Sequence, residues 1–164
     1  MKRGVKIGAD VPYCLMRGTA LAEGIGERLT RLPNAPQCQV LLAKPAVNVS
    51  TREIYEKLIL DEQCSHPDID ALIEGIRRQD IRSMAGVMGN VLEKVTSSMH
   101  PVIQKIKDNM MELGAMNTLM SGSGPTVFGL FEDSEQALVA RDKLRQMNIA
   151  RQVYTTEFFN VGSV

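Results

Sequence analysis

The sequence has no excess of charge of either sign, since 19 Lys and Arg residues are matched by 19 Asp and Glu residues. A protein that binds nucleic acid or an anionic membrane needs a basic surface to neutralise phosphates. The balanced charge therefore argues against both classes of partner, and we expect neither nucleic acid nor membrane to be bound.

Cysteine and histidine are also scarce. The three thiols, Cys14, Cys38 and Cys64, are odd in number and show no Cys-x-x-Cys spacing. The sequence thus predicts neither a disulfide framework nor a zinc site, and it favours a reducing, cytoplasmic location. We interpret all three as buried or incidental thiols. His66 and His100 each precede a proline and are interpreted as loop residues, and neither a His-x-x-x-His spacing nor a carboxylate pair suggests a metal site.

Long apolar runs are missing as well. No stretch approaches the ~18 residues that a bilayer-spanning helix requires. The first residues, Met-Lys-Arg-Gly-Val-Lys, are basic but lack the apolar stretch of a signal peptide. With 44% hydrophobic and 23% charged residues, the composition is that of a globular protein. The length of 164 residues fits one domain, or one domain plus a fragment of another.

Glycine and proline divide the first third of the chain. Residues 18–32 are predicted to form a hairpin turned by glycine, and Pro33-Asn34-Ala35-Pro36 marks a boundary. Residues 40–43 form a short buried strand. The sequence Ser50-Thr51-Arg52-Glu53 is a capping box, in which the serine accepts from the third backbone N–H and the glutamate reaches back. The helix that follows is expected to carry Ile54, Leu58 and Ile59.

Three further helices are predicted in the middle of the chain from apolar residues at helical spacing. Their apolar faces are Ile69, Leu72, Ile73 and Ile76; Ile81, Met84, Ala85, Met88, Leu92 and Val95; and Ile103, Ile106, Met110 and Leu113. Pro101 suits the first position of the third helix, and Gly114 suits its end. The methionines lie at helical spacing, so core packing explains them better than a binding face does.

The last third of the chain changes to strand periodicity. Residues 117–120 and 126–131 are predicted strands around a glycine-rich turn, and residues 153–159 form a final strand rich in β-branched and aromatic residues. Between them Ser134 is predicted to cap a helix. The order strand, helices, strand, strand, helix, strand is that of a split βαβ unit. The sequence therefore predicts an α/β (α+β) fold, a two-layer sandwich of the ferredoxin-like kind.

Two short segments are candidates for chemistry. Gly122-Ser123-Gly124 is neither a Rossmann fingerprint nor a Walker loop. Glycines at alternate positions let a backbone turn tightly and present N–H groups to an anion, although a plain strand-to-strand turn is the alternative. Asp10 stands in Gly8-Ala9-Asp10-Val11-Pro12, where an aspartate could simply cap a turn.

The segments around Asp10 and around Met120–Gly129 resemble two signature segments of the GHMP kinases, the superfamily of galactokinase, homoserine kinase, mevalonate kinase and phosphomevalonate kinase. The resemblance implies that Gly122, Ser123 and Gly124 lie beside the substrate and nucleotide phosphates. It also implies that Asp10 is the catalytic residue, which acts as general base or orients the acceptor hydroxyl for in-line attack.

Other segments resemble the diphosphocytidyl-methylerythritol kinases within that superfamily. Gly18–Glu27 is similar to their strand pair after the aspartate, and Asn90–Glu93 is similar to a helix of structural role. Lys44–Thr51 is similar to their Lys-Pro-x-x-x-Val-Ser-Thr segment, which implies that Thr51 contacts the methylerythritol end of the substrate. A helix-capping role for Ser50 and Thr51 is the alternative, and the two roles are compatible.

The resemblance also implies a domain division. Residues 1–35 correspond to a remnant of the N-terminal GHMP kinase domain, and residues 36–164 correspond to the C-terminal domain. The phosphate loop of Pro-x-x-Ala-Gly-Leu-Gly-Gly-Gly-Ser type and the cytosine-binding patch of the family have no counterpart in this sequence. We therefore expect the chain to be the C-terminal part of a kinase whose partner is the missing N-terminal half.

The complete kinase is expected to transfer the γ-phosphate of ATP, which brings its own Mg²⁺, to the 2-hydroxyl of 4-diphosphocytidyl-2-C-methyl-D-erythritol in isoprenoid biosynthesis. Phosphoryl transfer depends on positioning and charge stabilisation, so the chain alone is expected to be largely inactive. The alternative function is a stand-alone binding domain without catalysis. Such a domain could self-associate through the apolar face that the other half would otherwise cover.

Overall fold

The structure, a computed structural model, describes residue 8 and residues 10–59 and 66–160. Cys64 and part of the segment before Asp10 lie outside the described residues. The elements in chain order are α1 (Val11–Met16), β1 (Ala20–Glu23), β2 (Arg28–Arg31), β3 (Gln39–Lys44), α2 (Thr51–Lys57), α3 (Ile69–Arg77), α4 (Ile81–Val87), α5 (Glu93–Met99), α6 (Val102–Glu112), β4 (Asn117–Met120), β5 (Val127–Phe131), α7 (Ser134–Met147) and β6 (Gln152–Glu157).

Four strands form one antiparallel sheet in the order β4-β5-β3-β6, and β1 and β2 form a separate hairpin. Strand β3 pairs on both sides, so that Leu41 lies opposite Gly129 of β5 and Thr155 of β6. The predicted succession of strands and helices along the chain and the split βαβ unit are confirmed. The predicted hairpin at residues 18–32 is also confirmed.

Both faces of the sheet are covered by helices. On one face Leu41 and Ala43 of β3 pack in a core with residues of α6 and α7, and both are fully buried. On the other face Val40 of β3 and Leu130 of β5 pack against Ile76, Met84 and Ala85 of α3 and α4. A strand buried on both faces reads as a continuous apolar run, which is the pattern of Val127–Phe131 in β5.

The predicted helix from Ile81 to Val95 is in fact two helices, α4 and α5. The break follows from Met88, whose backbone is extended at φ −65° and ψ 139°. It follows also from Asn90, whose Oδ1 accepts the Leu92 N–H at 3.0 Å. Asparagine side chains compete in this way with the backbone ladder of a helix.

Three smaller predictions need correction. Leu58 and Ile59 lie beyond the end of α2 at Lys57, because Leu58 adopts extended backbone. The cap of α7 is Asp133, whose carboxylate accepts the Gln136 N–H at 2.7 Å, rather than Ser134. The short helix α1, with the buried Pro12 in its first turn, was not predicted.

The predicted capping box at the start of α2 forms in part. Ser50 caps the helix, because its hydroxyl accepts the Glu53 N–H at 3.4 Å. The Glu53 carboxylate instead receives a hydrogen bond from Lys57 at 2.8 Å.

Helix α1 is tied to the hairpin, which fixes the position of Asp10 at its start. The Tyr13 hydroxyl donates to the Gly18 carbonyl at 2.9 Å, and Arg31 donates to the Met16 carbonyl at 2.9 Å. This unit is joined in turn to the end of the chain, because Asn160 donates to the carbonyl of Ala35 at 3.0 Å. Among the described helices, none has the length and apolarity to cross a bilayer.

Helices α3 and α4 approach so closely that Gly75 is required between them. A Cβ on Gly75 would stand 3.0 Å from the backbone nitrogen of Met84, whereas a Cβ on Gly86 would meet no atom within 4 Å. We expect Gly75→Ala to lower the free energy of unfolding by about 1–3 kcal/mol, because helix backbone must move. The matched control Gly86→Ala should raise it by up to about 1 kcal/mol, because alanine favours helix. Urea unfolding of both variants measures this, and equal stabilities would contradict the close packing.

The thiol of Cys38 is buried directly before β3, whereas Cys14 on α1 is exposed. Burial, reinforced by the negative charge of Glu157, raises the pKa of Cys38 to about 11. At pH 8 about one Cys38 thiol in a thousand is then ionised. In a Cys64→Ser background we expect Cys14 to react quickly with a disulfide reagent at pH 8. Cys38 should react only after denaturation.

The control for the thiol experiment is Cys14→Ser in the same background, which should remove the fast phase. Rapid reaction of Cys38 in the folded control would show that this thiol is not shielded.

Candidate functional site

The glycine-rich segment forms a tight β-turn from Ser121 to Gly124. The Gly124 N–H donates to the Ser121 carbonyl at 2.9 Å, and the Ser121 N–H donates to the Thr126 carbonyl at 2.8 Å. Of the two central residues, Gly122 has a positive φ of 56° and Ser123 does not. These signs fit a type II′ turn, which places glycine at the first central position.

Two backbone donors of this turn are left over. Among the described residues, no hydrogen bond engages the N–H of Gly122 or that of Ser123. Gly122 is exposed, and Ser123 is half-buried. Successive unengaged N–H groups at an exposed turn can bind an anion. The turn therefore offers two adjacent backbone N–H donors to a bound anion.

Three side chains hold the turn from behind, and we call Asn90, Glu93 and Thr96 the bracket residues. Asn90 Nδ2 donates to the carbonyls of Met120 and Gly122, both at 2.8 Å. Glu93 Oε2 accepts the Met120 N–H at 2.7 Å.

The third bracket residue, Thr96, is fully buried. Its hydroxyl lies 3.2 Å from the carbonyls of Ser123 and Leu92 and shares its one proton between them. The bracket residues recur at every third position, from Asn90 just before α5 to Glu93 and Thr96 within it.

A residue of a second helix, α6, contacts the bracket residue Glu93. The Lys107 ammonium of α6 forms an ion pair with Glu93 Oε1. Each of these two side chains is only 15% exposed. A pair with so little solvent contact is weakly screened by salt, unlike the exposed pairs on the helix surfaces. The Glu93 carboxylate therefore has one oxygen on the turn and the other on α6.

Thr51, the first residue of α2, reaches the turn from the front. Its Oγ1 lies 2.8 Å from Oγ of Ser123, and either hydroxyl can be the donor. The structure thus brings together four of the five residues that the sequence singled out: Thr51, Gly122, Ser123 and Gly124.

Among the described residues, no hydrogen bond joins Asp10 to that group. Asp10 occupies the N-cap position of α1 and is exposed, but its carboxylate makes no capping hydrogen bond to the helix. It lines a cavity of about 210 Å³ together with Tyr13, Ala20, Ala22 and Gly26. No residue of the glycine turn lines this cavity. The carboxylate therefore does not cap α1.

A larger opening, which we call the apolar groove, lies between α1 and the pair α3–α4. Its volume is about 520 Å³, and its wall includes Leu72, Met84 and Met88. Phe158 and Phe159 close the other side, and Phe159 is 66% exposed. In the described part of the chain, no group of three or more His, Cys, Asp or Glu side chains is placed to hold a metal ion.

The bracket residues were not identified as site residues from the sequence. Asn90–Glu93 was interpreted as a structural helix segment, and the pattern assigned it to a continuous helix. An asparagine at a helix interruption is the signal that was available, because this residue favours caps and turns over helix interiors. Glu93 carries no such signal, since its partners come from β4 and α6.

Comparisons with known proteins find relatives that align with most of this chain. Residues 72–150 match the family model GHMP kinases C terminal. Over 159 residues the chain is 61% identical to the 4-diphosphocytidyl-2-C-methyl-D-erythritol kinase of Lachnospira eligens. Over 164 residues it is 52% identical to the kinase of that name from Lachnoclostridium phytofermentans. These alignments cover 97% and 100% of this chain but 55% and 56% of the relatives.

A crystal structure of 4-(cytidine 5'-diphospho)-2C-methyl-D-erythritol kinase superimposes on the chain with a TM-score of 0.78 at 29% identity. The superposition covers 93% of this chain and 54% of that chain. The chain thus spans about half the length of the relatives it matches, and the matched part is their C-terminal half. Sequence, fold and family model agree, and the chain belongs to the GHMP kinases, whose C-terminal domain it carries.

Proposed function

We propose that this chain is the C-terminal portion of a kinase that transfers the γ-phosphate of ATP to the 2-hydroxyl of 4-diphosphocytidyl-2-C-methyl-D-erythritol. The proposal rests on one observation above all. A chain 61% identical to a kinase of that name has a glycine turn with two unengaged N–H groups, and the side chain of Ser123 in that turn contacts Thr51. The product would serve isoprenoid precursor biosynthesis in the cytoplasm.

The turn and Thr51 are assigned complementary roles. The N–H groups of Gly122 and Ser123 bind phosphate oxygens, and the tight backbone of Gly124 keeps them in place. Thr51 binds the methylerythritol end of the acceptor. Because its hydroxyl lies 2.8 Å from Ser123 Oγ, acceptor and phosphate contacts are adjacent. Such an arrangement fits a reaction that depends on positioning.

Asp10 is assigned to the acceptor hydroxyl. In the reaction the hydroxyl oxygen forms a bond to the γ-phosphorus, and the bond from phosphorus to the β–γ bridging oxygen breaks. The hydroxyl proton passes to the Asp10 carboxylate, or the carboxylate orients the hydroxyl while the proton is lost. An exposed carboxylate that makes no capping hydrogen bond is free for this task.

The N-terminal half of the kinase is the proposed partner. We assign residues 1–35 to a remnant of its N-terminal domain and residues 36–164 to the C-terminal domain. In support, β1 and β2 form a sheet separate from the four-stranded sheet that begins with β3. ATP and its Mg²⁺ would be bound mainly by that half, because the family's phosphate loop has no counterpart in this sequence.

Supplying the missing half tests this assignment. We expect the 164-residue chain alone to show no phosphoryl transfer above background in an ATP-coupled assay. A chimera is made by joining the N-terminal part of the Lachnospira eligens kinase to this chain at the first aligned residue. This chimera should be active on 4-diphosphocytidyl-2-C-methyl-D-erythritol. Full activity of the isolated chain would sink the assignment, as would a folded but inactive chimera.

Within the active chimera, Asp10→Asn should lower kcat by about 10²–10⁴-fold, the usual contribution of a general base. Its KM for ATP should change little, because the carboxylate faces the acceptor. Asp142→Asn is the control, since Asp142 is an exposed residue of α7 paired with Arg141. Equal kcat values for the two variants would remove Asp10 from the mechanism.

A second function is favoured by the apolar groove. A stand-alone binding domain that self-associates without catalysis would use exposed apolar surface of this kind. Phe159 is exposed at the groove. On α1, Leu15 follows the groove residue Cys14 and is 68% exposed.

Sedimentation of the isolated chain separates the two functions. A stable dimer that dissociates in Phe159→Ser, together with an inactive chimera, would support the binding domain. A monomer at all concentrations, with an active chimera, is the outcome we expect. The surface control is Tyr154→Ser, since Tyr154 is 54% exposed on β6 and does not line the groove.

A further inference from the structure

Met120 is the last residue of β4, and both its backbone N–H and its carbonyl are hydrogen-bonded to side chains rather than to a strand. Strand β4 is at the edge of the sheet and pairs only with β5. An edge strand leaves alternate N–H groups without a strand partner. In β4 the Thr118 N–H is taken by the Asn117 side chain at 2.7 Å, and the Met120 N–H is taken by Glu93.

Met120 is linked to the turn through both its backbone and its side chain. Its carbonyl accepts from Asn90, and the residue that follows it begins the turn at Ser121. Its side chain is 1% exposed and lies under Gly124, where a Cβ would stand 2.6 Å from the Met120 sulfur. A displacement of Met120 therefore moves the turn at both of its ends.

The charge on Glu93 has a defined counterpart. Lys107 holds Oε1, so the carboxylate cannot rotate away from Met120 without breaking the ion pair. A hydrogen bond from an N–H to a carboxylate is roughly twice as strong as one between neutral groups. The pair Glu93–Lys107 thus fixes one peptide of the strand relative to α5 and α6.

We propose that Glu93, oriented by Lys107, is a positioning residue of the phosphate-binding turn. It sets the direction of the N–H groups of Gly122 and Ser123 without touching a ligand itself. The catalytic consequence rests on the proposed function, whereas the effect on the turn does not. Loss of the Glu93 charge should therefore disturb the turn while the folded core remains.

The first test is made on the 164-residue chain by amide NMR. Glu93→Gln keeps the size and an acceptor oxygen but removes the charge. We expect hydrogen exchange at the Met120 amide to accelerate about tenfold. The amide resonances of Gly122 and Ser123 should shift, while those of the distant strand β6 stay in place. The matched control is Glu74→Gln, which removes a charge paired with Arg78 on α3 and should leave the turn unchanged.

A second pair of variants keeps the test decisive if Glu93→Gln unfolds. Lys107→Met should shift the same turn resonances, and Lys107→Arg should restore them, because arginine keeps the positive charge. A purely structural role predicts a lower melting temperature with unmoved turn resonances in every folded variant. That result would overturn the proposal.

The kinetic arm uses the active chimera. Glu93→Gln and Lys107→Met should lower kcat/KM about tenfold or more through kcat, and Lys107→Arg should recover most of it. Kinetics equal to those of Glu74→Gln would contradict positioning. If the parent chimera is inactive, the proposed function fails, and the NMR comparison still decides the role of Glu93.

Discussion

Strand β3 carries the constraint on which the rest of the structure depends. It is hydrogen-bonded to a strand on each side, and its two faces contribute to two separate cores. None of the buried residues of β3, which are Val40, Leu41 and Ala43, can change size without disturbing the helices packed on one face of the sheet. Strand β5 pairs with β3 and contributes to the same two cores, and it leads out of the glycine turn. The candidate site is thus built at the end of a well-packed strand pair.

The turn itself is different in kind, because its conformation depends on side chains from elsewhere. Its glycines permit the backbone angles, but the bracket residues and Thr51 select one arrangement among those permitted. Four elements meet there: α2, α5, β4 and β5. A loop held by several elements remains in place without a ligand, which reduces the ordering cost when an anion binds.

Much of the fold could be predicted from the sequence, because strands and helices here follow simple apolar periods. The succession of strands and helices, and with it the split βαβ unit, followed from the change of apolar period along the chain. The break between α4 and α5 was missed, because Ile81 to Val95 keep a helical period across the interruption at Met88 and Asn90. A local hydrogen bond outweighed the periodicity there.

The roles of Glu93 and Lys107 could not be predicted from the sequence. Their ion pair joins two helices, and Glu93 also binds the edge strand β4, whereas periodicity does not show which elements meet. The cavity beside Asp10 could not be predicted from the pattern either, because it depends on how α1 and the hairpin pack.

The contact between Thr51 and Ser123 has a consequence for the direction of protons. Each hydroxyl carries one hydrogen, so within this pair one donates and the other accepts. A ligand oxygen that takes the hydrogen of Thr51 leaves Thr51 as the acceptor, and Ser123 must then point its own hydrogen toward α2. A ligand group that donates to Thr51 leaves the hydrogen of Thr51 unused, so Thr51 can then donate to Ser123 and the pair takes the opposite orientation. The hydroxyl orientation at the glycine turn therefore records what is bound at the start of α2, with no movement of the backbone.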